Sequence, residues 1–277
     1  MKFKQWFKTP KAYVLLTLVA LLIIASLGSQ DMRGILHAGV AVVVCVALDI
    51  ICSLIKRRKR IMPDGAIITG LIISLILSTT STWFIVIATS ILAILSKHIL
   101  VYRKKPIFNP AATGLFLSIP LFQSQQSWWG AFGDLPDWTL AFVLIGGYIA
   151  TNRVNKFPQV FSFLAMYFVS LYIMAFYFHV GDIADALRPP FINATLFFAL
   201  FMLTDPPTSP AKTGDQIVFS LLAAAVSVVV YGYFGGLMYL FIGLFVGNLY
   251  QVWKSSLSGK TVKQVRPEIK KGHNMPF

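Results

Sequence analysis

DIICSLIKRRKRIMPDGAIITG, residues 49–70, is the stretch that decides the fold of this chain. It leaves one apolar segment, passes through five consecutive basic residues at 56–60, and enters a second apolar segment. Lysine and arginine concentrate in the cytoplasmic loops of membrane proteins, so a basic run between apolar segments indicates a cytoplasmic turn between two membrane spans. The stretch therefore predicts a membrane protein and the orientation of its neighbouring spans.

The same charge pattern extends over the whole chain when it is divided into apolar segments of bilayer length, about 20 residues each. Of the 24 lysines and arginines, 22 then lie on one side, and only Arg33 and Arg188 lie on the other. The sequence predicts about ten transmembrane helices in the cell membrane, with both termini cytoplasmic. The predicted spans are 12–29, 35–55, 65–80, 83–101, 110–122, 138–152, 158–178, 190–204, 216–233 and 237–253.

Composition favours this fold class and excludes a soluble one. Hydrophobic residues make up 57% of the 277 residues and charged residues only 12%, whereas soluble domains average about 25% charged residues. The net charge of +14 lies in short loops and at the ends, so it indicates contact with membrane lipid and no nucleic-acid partner. We expect one all-α transmembrane domain over 1–255 and a flexible, basic cytoplasmic tail over 256–277.

Ten spans divide into two halves of five, about 12–122 and about 138–253. Because five is an odd number, the second half enters the membrane from the opposite side, which predicts two inverted repeats. The third span of each half, starting at 65 and at 190, is short and bounded by proline. Paired short spans of this kind indicate a binding site at the interface of the repeats.

Three stretches interrupt the apolar spans, and all three face the cytoplasm in this arrangement. They are MPDGAIITG at 62–70, FNPAATG at 108–114 and FMLTDPPTSP at 201–210. A helix start presents free N–H groups and a partial positive charge, which favour an anionic or carbonyl-rich ligand. Irregular backbone at membrane depth is tolerated where it is buried in protein or lines a cavity. We therefore expect the three interruptions to form one polar pocket at the inner leaflet.

The residue types within the first two interruptions predict how their helices begin. Asp64 is expected to cap the third span, Gly65 permits close backbone approach, and Thr69 lies about one turn inside. Asn109 followed by Pro110 is a strong helix-start signal, since a side-chain cap precedes the residue preset for the first helical position.

The third interruption contains two prolines, Pro206 and Pro207, which cannot continue a helix. Thr204 and Asp205 therefore offer a hydroxyl group and carboxylate acceptors at the point where the helix breaks.

Two ionisable residues lie within or beside the spans, and the first of them has two interpretations. Asp49 is an intramembrane acid and a candidate ligand for a proton or sodium ion, but it also lies close enough to the basic run to pair with Lys56 or a nearby charge. Lys97 lies near an inner helix end, where snorkelling to the interface explains it. At the outer boundary, three tryptophans are expected to form an aromatic belt: Trp128, Trp129 and Trp138.

Together the three interruptions resemble the NqrB/RnfD family, the membrane subunits of the sodium-pumping NADH:quinone reductase and of the Rnf ferredoxin:NAD electron-transport complex. Members of that family share a DG helix start followed by TG or TA, a lysine before a glycine-rich loop, an FNPA motif with a later glycine, and a late FM-TDP-TSP motif. The order and spacing agree over about residues 35 to 255, and the chain looks most like the RnfD-type members. The matching residues are Asp64-Gly65, Thr69-Gly70-Leu71, Lys97-His98, Phe108-Asn109-Pro110-Ala111, Gly114, Phe201-Met202, Thr204-Asp205-Pro206 and Thr208-Ser209-Pro210.

This resemblance implies a fold of two inverted five-helix repeats, similar to that of urea transporters, and a role in moving electrons across or along the membrane through flavin. It also implies coupling to ion transport. The implied partners are the other membrane and peripheral subunits of an electron-transfer complex, which would oxidise NADH or ferredoxin. The residues it implies for flavin binding are Asp64, Gly65, Thr69, Lys97, Asn109, Pro110, Thr204 and Asp205.

The chain departs from the family pattern in its middle. Family members carry FMN on a threonine of an SGAT-type motif, whereas residues 123–139 here read QSQQSWWGAFGDLPDWT. The glycine-rich loop that follows the lysine is replaced by HILVYRKKPIF. We therefore expect a flavin, FMN or riboflavin, that is held non-covalently. The residues indicate neither a metal site nor a catalytic side chain, so membership of an enzyme complex is left open.

Two other functions fit the same pattern. A related fold conducts small neutral solutes, so the alternative is a small-solute channel or carrier. A further alternative is a scaffold subunit that lost its cofactor together with the SGAT motif. A visible absorption spectrum and a measurement of solute flux distinguish the three functions.

Overall fold

Ten α-helices form the bulk of the described chain, one for each predicted span. The computed structural model describes residues 6, 9–57, 62–180, 183–236 and 238–271. Two short strands, β1 (Val101–Tyr102) and β2 (Lys105–Pro106), pair as an antiparallel hairpin. The helices are α1 (Pro10–Ser29), α2 (Arg33–Ile55), α3 (Asp64–Ile76), α4 (Trp83–Ile99), α5 (Pro110–Phe122), α6 (Leu140–Val154), α7 (Phe157–Phe176), α8 (Phe191–Phe197), α9 (Thr213–Phe234) and α10 (Tyr239–Lys271).

These helices make the chain an all-α, multi-pass membrane protein. Four of them, α1, α2, α7 and α9, have 20 to 23 residues and are long and apolar enough to cross a bilayer. Large apolar side chains such as Leu27, Val43 and Phe161 face outward along them. An outward apolar surface of this kind suits lipid and is unusual in water. The long helices thus provide the lipid-facing frame.

The shorter helices leave part of the bilayer depth to irregular backbone. α3 and α5 have 13 residues each, which gives about 20 Å of helix against a hydrocarbon core of roughly 30 Å. α8 has seven residues and continues into a π-helical turn, Phe198–Met202. The prediction that both third spans are short and interrupted is confirmed.

The backbone that follows α3 is paired with protein, as membrane depth requires. The N–H group of Ser78 donates to the carbonyl of Gln125 at 3.1 Å. The side-chain amide of Gln126 donates to the carbonyl of Leu115 at 3.0 Å. The segment after α5 therefore folds back across the end of α3.

Glycines set the closest helix contacts. A Cβ atom on Gly70 of α3 would lie 2.8 Å from the backbone Cα of Val42 in α2. A Cβ atom on Gly114 of α5 would lie 2.6 Å from the carbonyl oxygen of Thr89 in α4. Real Cβ contacts are never this short, so both contacts need a residue without a side chain. They bring α3 against α2 and α5 against α4.

The predicted aromatic belt is wrong for two of its three tryptophans. Trp128 is 7% exposed and stacks on Phe241 with ring centroids 5.7 Å apart. The indole N–H of Trp129 donates to the carbonyl of Ser74 at 2.7 Å. Trp128 fills the interior and Trp129 is half-buried against the core, because their segment folds back into the bundle. Trp138 is 68% exposed, as a belt residue would be.

The helix α10 continues to Lys271, through most of the predicted C-terminal tail. Residues 272–277 of that tail lie outside the described residues.

Candidate functional site

The three interruptions meet around one cavity of about 490 Å³. Small-molecule sites in proteins typically measure about 300–1,000 Å³. Its walls come from α1, α3, α4, α5, α6, the β-hairpin and the loop after α8. Apolar side chains form one part of the lining: Val14, Ile68, Ile72, Ala150, Val154 and Phe201. Basic side chains form another: Lys11, Lys97, Lys104 and Lys105.

Seven of the eight predicted site residues line this cavity: Gly65, Thr69, Lys97, Asn109, Pro110, Thr204 and Asp205. The eighth, Asp64, does not line it. The expectation that Asp64 caps its helix is also wrong, because the N-cap position of α3 is Pro63 and Asp64 lies in the first turn. There its carboxylate still faces the positive end of the helix dipole.

Asn109 is the cap that the sequence predicted, with Pro110 at the first helical turn. Its side-chain oxygen accepts a hydrogen bond from the N–H of Ala112 at 3.1 Å. Its side-chain amide donates to the carbonyl of Met202, at the end of the π-helical turn, at 3.4 Å. One buried side chain therefore starts α5 and binds the second interruption to the third.

Asn248 of α10 is a further site residue that was not predicted from the sequence. It is fully buried, and its side-chain oxygen accepts from the N–H of Asn109 at 3.3 Å. Its amide group donates to the carbonyl of Thr208 at 3.1 Å. A polar residue within an otherwise apolar span was the available signal, because such residues usually face the bundle interior.

The loop after the π-helical turn folds around Asp205. The Thr208 hydroxyl donates to the Asp205 carboxylate at 3.0 Å, and the Ser209 hydroxyl donates to the Asp205 carbonyl at 2.7 Å. The buried ammonium of Lys156 donates to Ser209 Oγ at 3.1 Å and to the carbonyl of Pro210. Lys156 was not predicted from the sequence either, because its partners lie more than 50 positions away.

Asp205 and Lys156 both have pKa values displaced toward neutrality. Burial raises the pKa of Asp205 to about 6, against the lowering effects of the Thr208 hydrogen bond and of the nearby lysines. Burial lowers the pKa of Lys156 to about 8, against the raising effect of the Asp205 charge. Displaced pKa values beside a cavity are typical of functional sites.

Lys97 reaches the cavity while bound to Asp49. Its ammonium lies 2.8 Å from Oδ1 of Asp49, and Nε2 of His98 lies 2.7 Å from the same oxygen. Asp49 was expected to pair with Lys56 or a nearby charge, and the charge it pairs with is that of Lys97. The Lys56 ammonium donates to the backbone carbonyl of His98 instead. Snorkelling alone does not account for Lys97, since its partner is a buried carboxylate.

The hydroxyl groups of the cavity wall already donate to the backbone. Thr69 Oγ1 donates to the carbonyl of Gly65, and Thr204 Oγ1 donates to the carbonyl of Leu200, each at 2.8 Å. Their oxygen lone pairs remain free to accept hydrogen bonds. The cavity therefore offers oxygen acceptors from its threonines and from Asp205, cationic donors from its lysines, and an apolar wall. These groups fit a partly apolar ligand with polar edges.

The sequence also matches a known protein family along most of its length. The model of the NQR2, RnfD, RnfE family matches residues 5–137 and again residues 122–248. No curated protein matches the chain. The first match includes the short helix α3 and the second includes the short helix α8.

Proposed function

The chain belongs to the NQR2, RnfD, RnfE family, and we propose that it is the membrane subunit of an Rnf- or Nqr-type electron-transport complex that holds a flavin non-covalently in the inner cavity. The family belongs to multi-subunit electron-transport complexes, which makes other subunits its partners. The observation that carries the flavin proposal is the cavity itself. Seven residues chosen from separated motifs line a single space of suitable volume.

The cavity residues suit a flavin chemically. A bound flavin supplies one- and two-electron redox chemistry, which the protein positions and tunes. Ile72 and Phe201 provide an apolar wall that excludes water, and Thr69 and Thr204 provide acceptors at its polar edge. The lysine charges favour negative charge within the cavity. The chain would therefore make the reduced form of such a cofactor more stable.

The middle of the chain supports the non-covalent part of this proposal. Residues 123–139 contain no SGAT-type threonine. The same segment packs into the bundle through Gln126 and Trp129. A covalent flavin on this segment would have to displace those contacts.

We propose that the ten helices form two inverted repeats, α1–α5 and α6–α10, in the manner of urea transporters. The contacts of one half recur in the other: α2 packs on α4 as α7 packs on α9, and α4 packs on α5 as α9 packs on α10. Equivalent helices also meet across the halves, α1 with α6 and α5 with α10. The two successive family matches support the same division.

The proposed orientation puts the cavity on the cytoplasmic side of the cell membrane. The lysines around the cavity lie in the hairpin and at the helix ends that the positive-inside rule assigns to the cytoplasm. A cytoplasmic cavity could exchange electrons with a peripheral partner subunit. Coupling of that electron transfer to ion movement is part of the same proposal.

The test is the visible spectrum of the protein purified in mild detergent. A flavin absorption band that is lost on denaturation, with flavin released into the supernatant, is the expected result. Asp205→Ala should lower flavin occupancy, whereas Asp31→Ala, at the opposite end of the bundle, should leave it unchanged. A colourless protein that speeds solute flux into liposomes would support the channel instead, and a colourless, inert protein would support the scaffold.

A further inference from the structure

The proposed inverted repeats give each element of the inner cavity a counterpart at the opposite end of the bundle. The cavity is lined by the starts of α3 and α5, the end of α6 and the loop after α8. The repeat exchanges these elements for the starts of α8 and α10, the end of α1 and the loop after α3. Because the two halves pack alike, we expect these four counterparts to meet at the outer end.

The linker between the two halves, residues 123–136, contacts the starts of both helices in this set. Gly133 of the linker lies against Pro190, directly before α8, so closely that a Cβ atom on the glycine would overlap the proline ring. Trp128 of the linker stacks on Phe241 in the first turn of α10, with ring centroids 5.7 Å apart. The linker therefore covers two of the four counterparts.

The linker also contacts the other two counterparts. Leu135 lies against the end of α1, where a Cβ atom on Gly28 would come within 2.7 Å of its side chain. In the loop after α3, the N–H group of Ser78 donates to the carbonyl of Gln125 at 3.1 Å. All four surfaces that correspond to walls of the inner cavity are thus in contact with this one segment.

Trp129 of the linker is bound as a ligand would be. Its indole N–H donates to the carbonyl of Ser74 at 2.7 Å. Ser74 is among the last four residues of α3, whose carbonyl groups lack partners within the helix. The indole ring lies directly on the backbone of Gly34 in α2, where an added Cβ atom would overlap it. The surroundings therefore fit a planar aromatic group that carries one N–H donor.

The packing of the linker holds its backbone in an unfavourable conformation at two aromatic residues. Trp128 and Phe132 have left-handed backbone, with φ of 52° and 64°. This conformation is costly for residues with a Cβ atom, and it persists where the surroundings fix it. Phe132 is 1% exposed. The contacts of the side chains, and not the turn preferences of the segment, therefore determine its position.

The linker lies above the inner cavity along a column of aromatic rings. Phe201 lines the cavity, and its ring centroid is 5.0 Å from that of Phe197. The ring of Phe197 is in turn 6.2 Å from that of Trp128. The linker is therefore placed where a path from the cavity to the outer side would end.

We propose that these surfaces form an outer site, the counterpart of the inner cavity, and that the linker occupies it and seals the outer end of the repeat interface. Trp129 takes the place of a planar aromatic ligand with an N–H donor. The seal leaves the inner cavity open to one side of the membrane only. Occupancy of the outer site by the linker requires no flavin, so this inference goes beyond the proposed function.

The seal is tested by the flux of urea and glycerol into liposomes that contain the purified protein. Wild-type protein should leave the flux at the level of protein-free liposomes. The double variant Trp128→Ala, Trp129→Ala should raise the flux of both solutes several-fold, because it removes the two rings that close the path. Trp138→Ala is the matched control, since this neighbouring tryptophan is 68% exposed, and it should behave as wild type.

The site itself is tested by refilling it with indole. Indole should raise the melting temperature of Trp129→Ala in detergent until the site is saturated. N-methylindole cannot donate to the Ser74 carbonyl, so it should bind about tenfold more weakly. Neither compound should shift the melting temperature of wild-type protein or of Trp138→Ala.

A third variant tests the position of Trp129 without truncating it. Gly34→Ala should lower the melting temperature of the wild-type protein, because the added methyl group overlaps the indole ring. The same change should be tolerated in the Trp129→Ala background, where that ring is gone. Gly39→Ala, on the same helix with open space around the added Cβ atom, should lower the melting temperature in neither background.

The outcomes that contradict the proposal are separate. A permeable wild-type protein, or a folded double variant that is no more permeable than wild type, would overturn the seal. Indole that shifts wild type, Trp138→Ala and Trp129→Ala alike would overturn the site. If the double variant does not fold, the Gly34 comparison decides, and equal losses in the two backgrounds contradict the position of Trp129. The visible spectrum tests the flavin independently, so either proposal can fail while the other stands.

Discussion

The ammonium of Lys97 lies 2.8 Å from Oδ1 of Asp49. This ion pair links the wall of the cavity to a buried carboxylate of α2. Asp49 is 3% exposed, so its charge has little access to water. A buried carboxylate is tolerated when charged partners and hydrogen bonds compensate it. The relationship explains how a charged residue can lie within an apolar span.

Asp49→Asn should therefore destabilise the protein strongly. The change leaves Lys97 and His98 without their carboxylate, and breaking a buried ion pair typically costs about 3–5 kcal/mol. Thermal unfolding in detergent, followed by intrinsic fluorescence, measures the effect. The control is Asp31→Asn, which breaks the exposed pair with Arg33 and should cost less than about 1 kcal/mol. Similar small losses in both variants would show that the Asp49 pair contributes little.

The contact of α3 with α2 gives a second prediction. Gly70→Ala should destabilise the protein by about 1–3 kcal/mol, because its methyl group would overlap the backbone of Val42 and force the helices apart. Gly39→Ala is the matched control on α2, since no atom lies within 4 Å of the added Cβ. Its expected effect is a small stabilisation from higher helix propensity. If Gly70→Ala leaves the free energy of unfolding unchanged, the two helices can move apart without loss of stability.

The bridge made by Asn248 predicts an effect on both stability and binding. Asn248→Ala leaves the N–H of Asn109 and the carbonyl of Thr208 without their partner, which typically costs about 1–3 kcal/mol for each buried group. Because these groups shape the cavity, flavin affinity should fall as well. The control is Asn152→Ala on the exposed part of α6. Unchanged flavin affinity at reduced stability would make Asn248 a purely structural residue.

The orientation of the chain gives a prediction that does not depend on any cofactor. In a cysteine-free background, a membrane-impermeant thiol reagent should label Asp31→Cys in intact cells. It should label Lys104→Cys only after the membrane is permeabilised, because the basic hairpin is proposed to lie inside. Each position serves as the control for the other. The reversed labelling pattern would invert the proposed topology and move the cavity to the outer side.

The cavity could be predicted from the sequence because its signals are local. Asn109 followed by Pro110 starts a helix whatever the surrounding fold, and Pro206 and Pro207 end one. Apolar segments of bilayer length and basic loops likewise predicted one helix for each span. These features depend on neighbouring residues, so a single sequence contains them. The expectation that the three breaks share one pocket followed from the rule that irregular backbone at membrane depth must be buried.

The errors arose where partners are distant in the sequence. Asp49 was expected to pair with Lys56 or a nearby charge, and the sequence did not single out Lys97 of α4, which the carboxylate contacts. Trp129 was expected at the membrane boundary, but its segment folds back and reaches Ser74. Asn248 was not predicted as a site residue because its partners, Asn109 and Thr208, lie on other elements. Contacts of this kind depend on the packing of helices and have no local pattern.

Asp205 predicts how stability depends on pH. Its pKa in the folded protein is about 6, above the ordinary value of about 3.9 for an unfolded chain. Between these pH values the folded state binds more protons than the unfolded state. The free energy of unfolding should therefore fall as pH rises from about 4 to about 6 and then level off.

Asp205→Asn should remove that part of the pH dependence, because an amide does not titrate. At pH 7 the variant should be more stable than wild type by about 1–3 kcal/mol, since the folded wild-type protein then holds a carboxylate whose ionisation burial disfavours. Melting temperatures between pH 4.5 and 7.5 in one detergent measure the effect. Asp134→Asn, an exposed loop variant, should follow the wild-type curve. If the curves of wild type and Asp205→Asn remain parallel over this range, the Asp205 carboxyl is better solvated than its surroundings imply, and the loop must open to water.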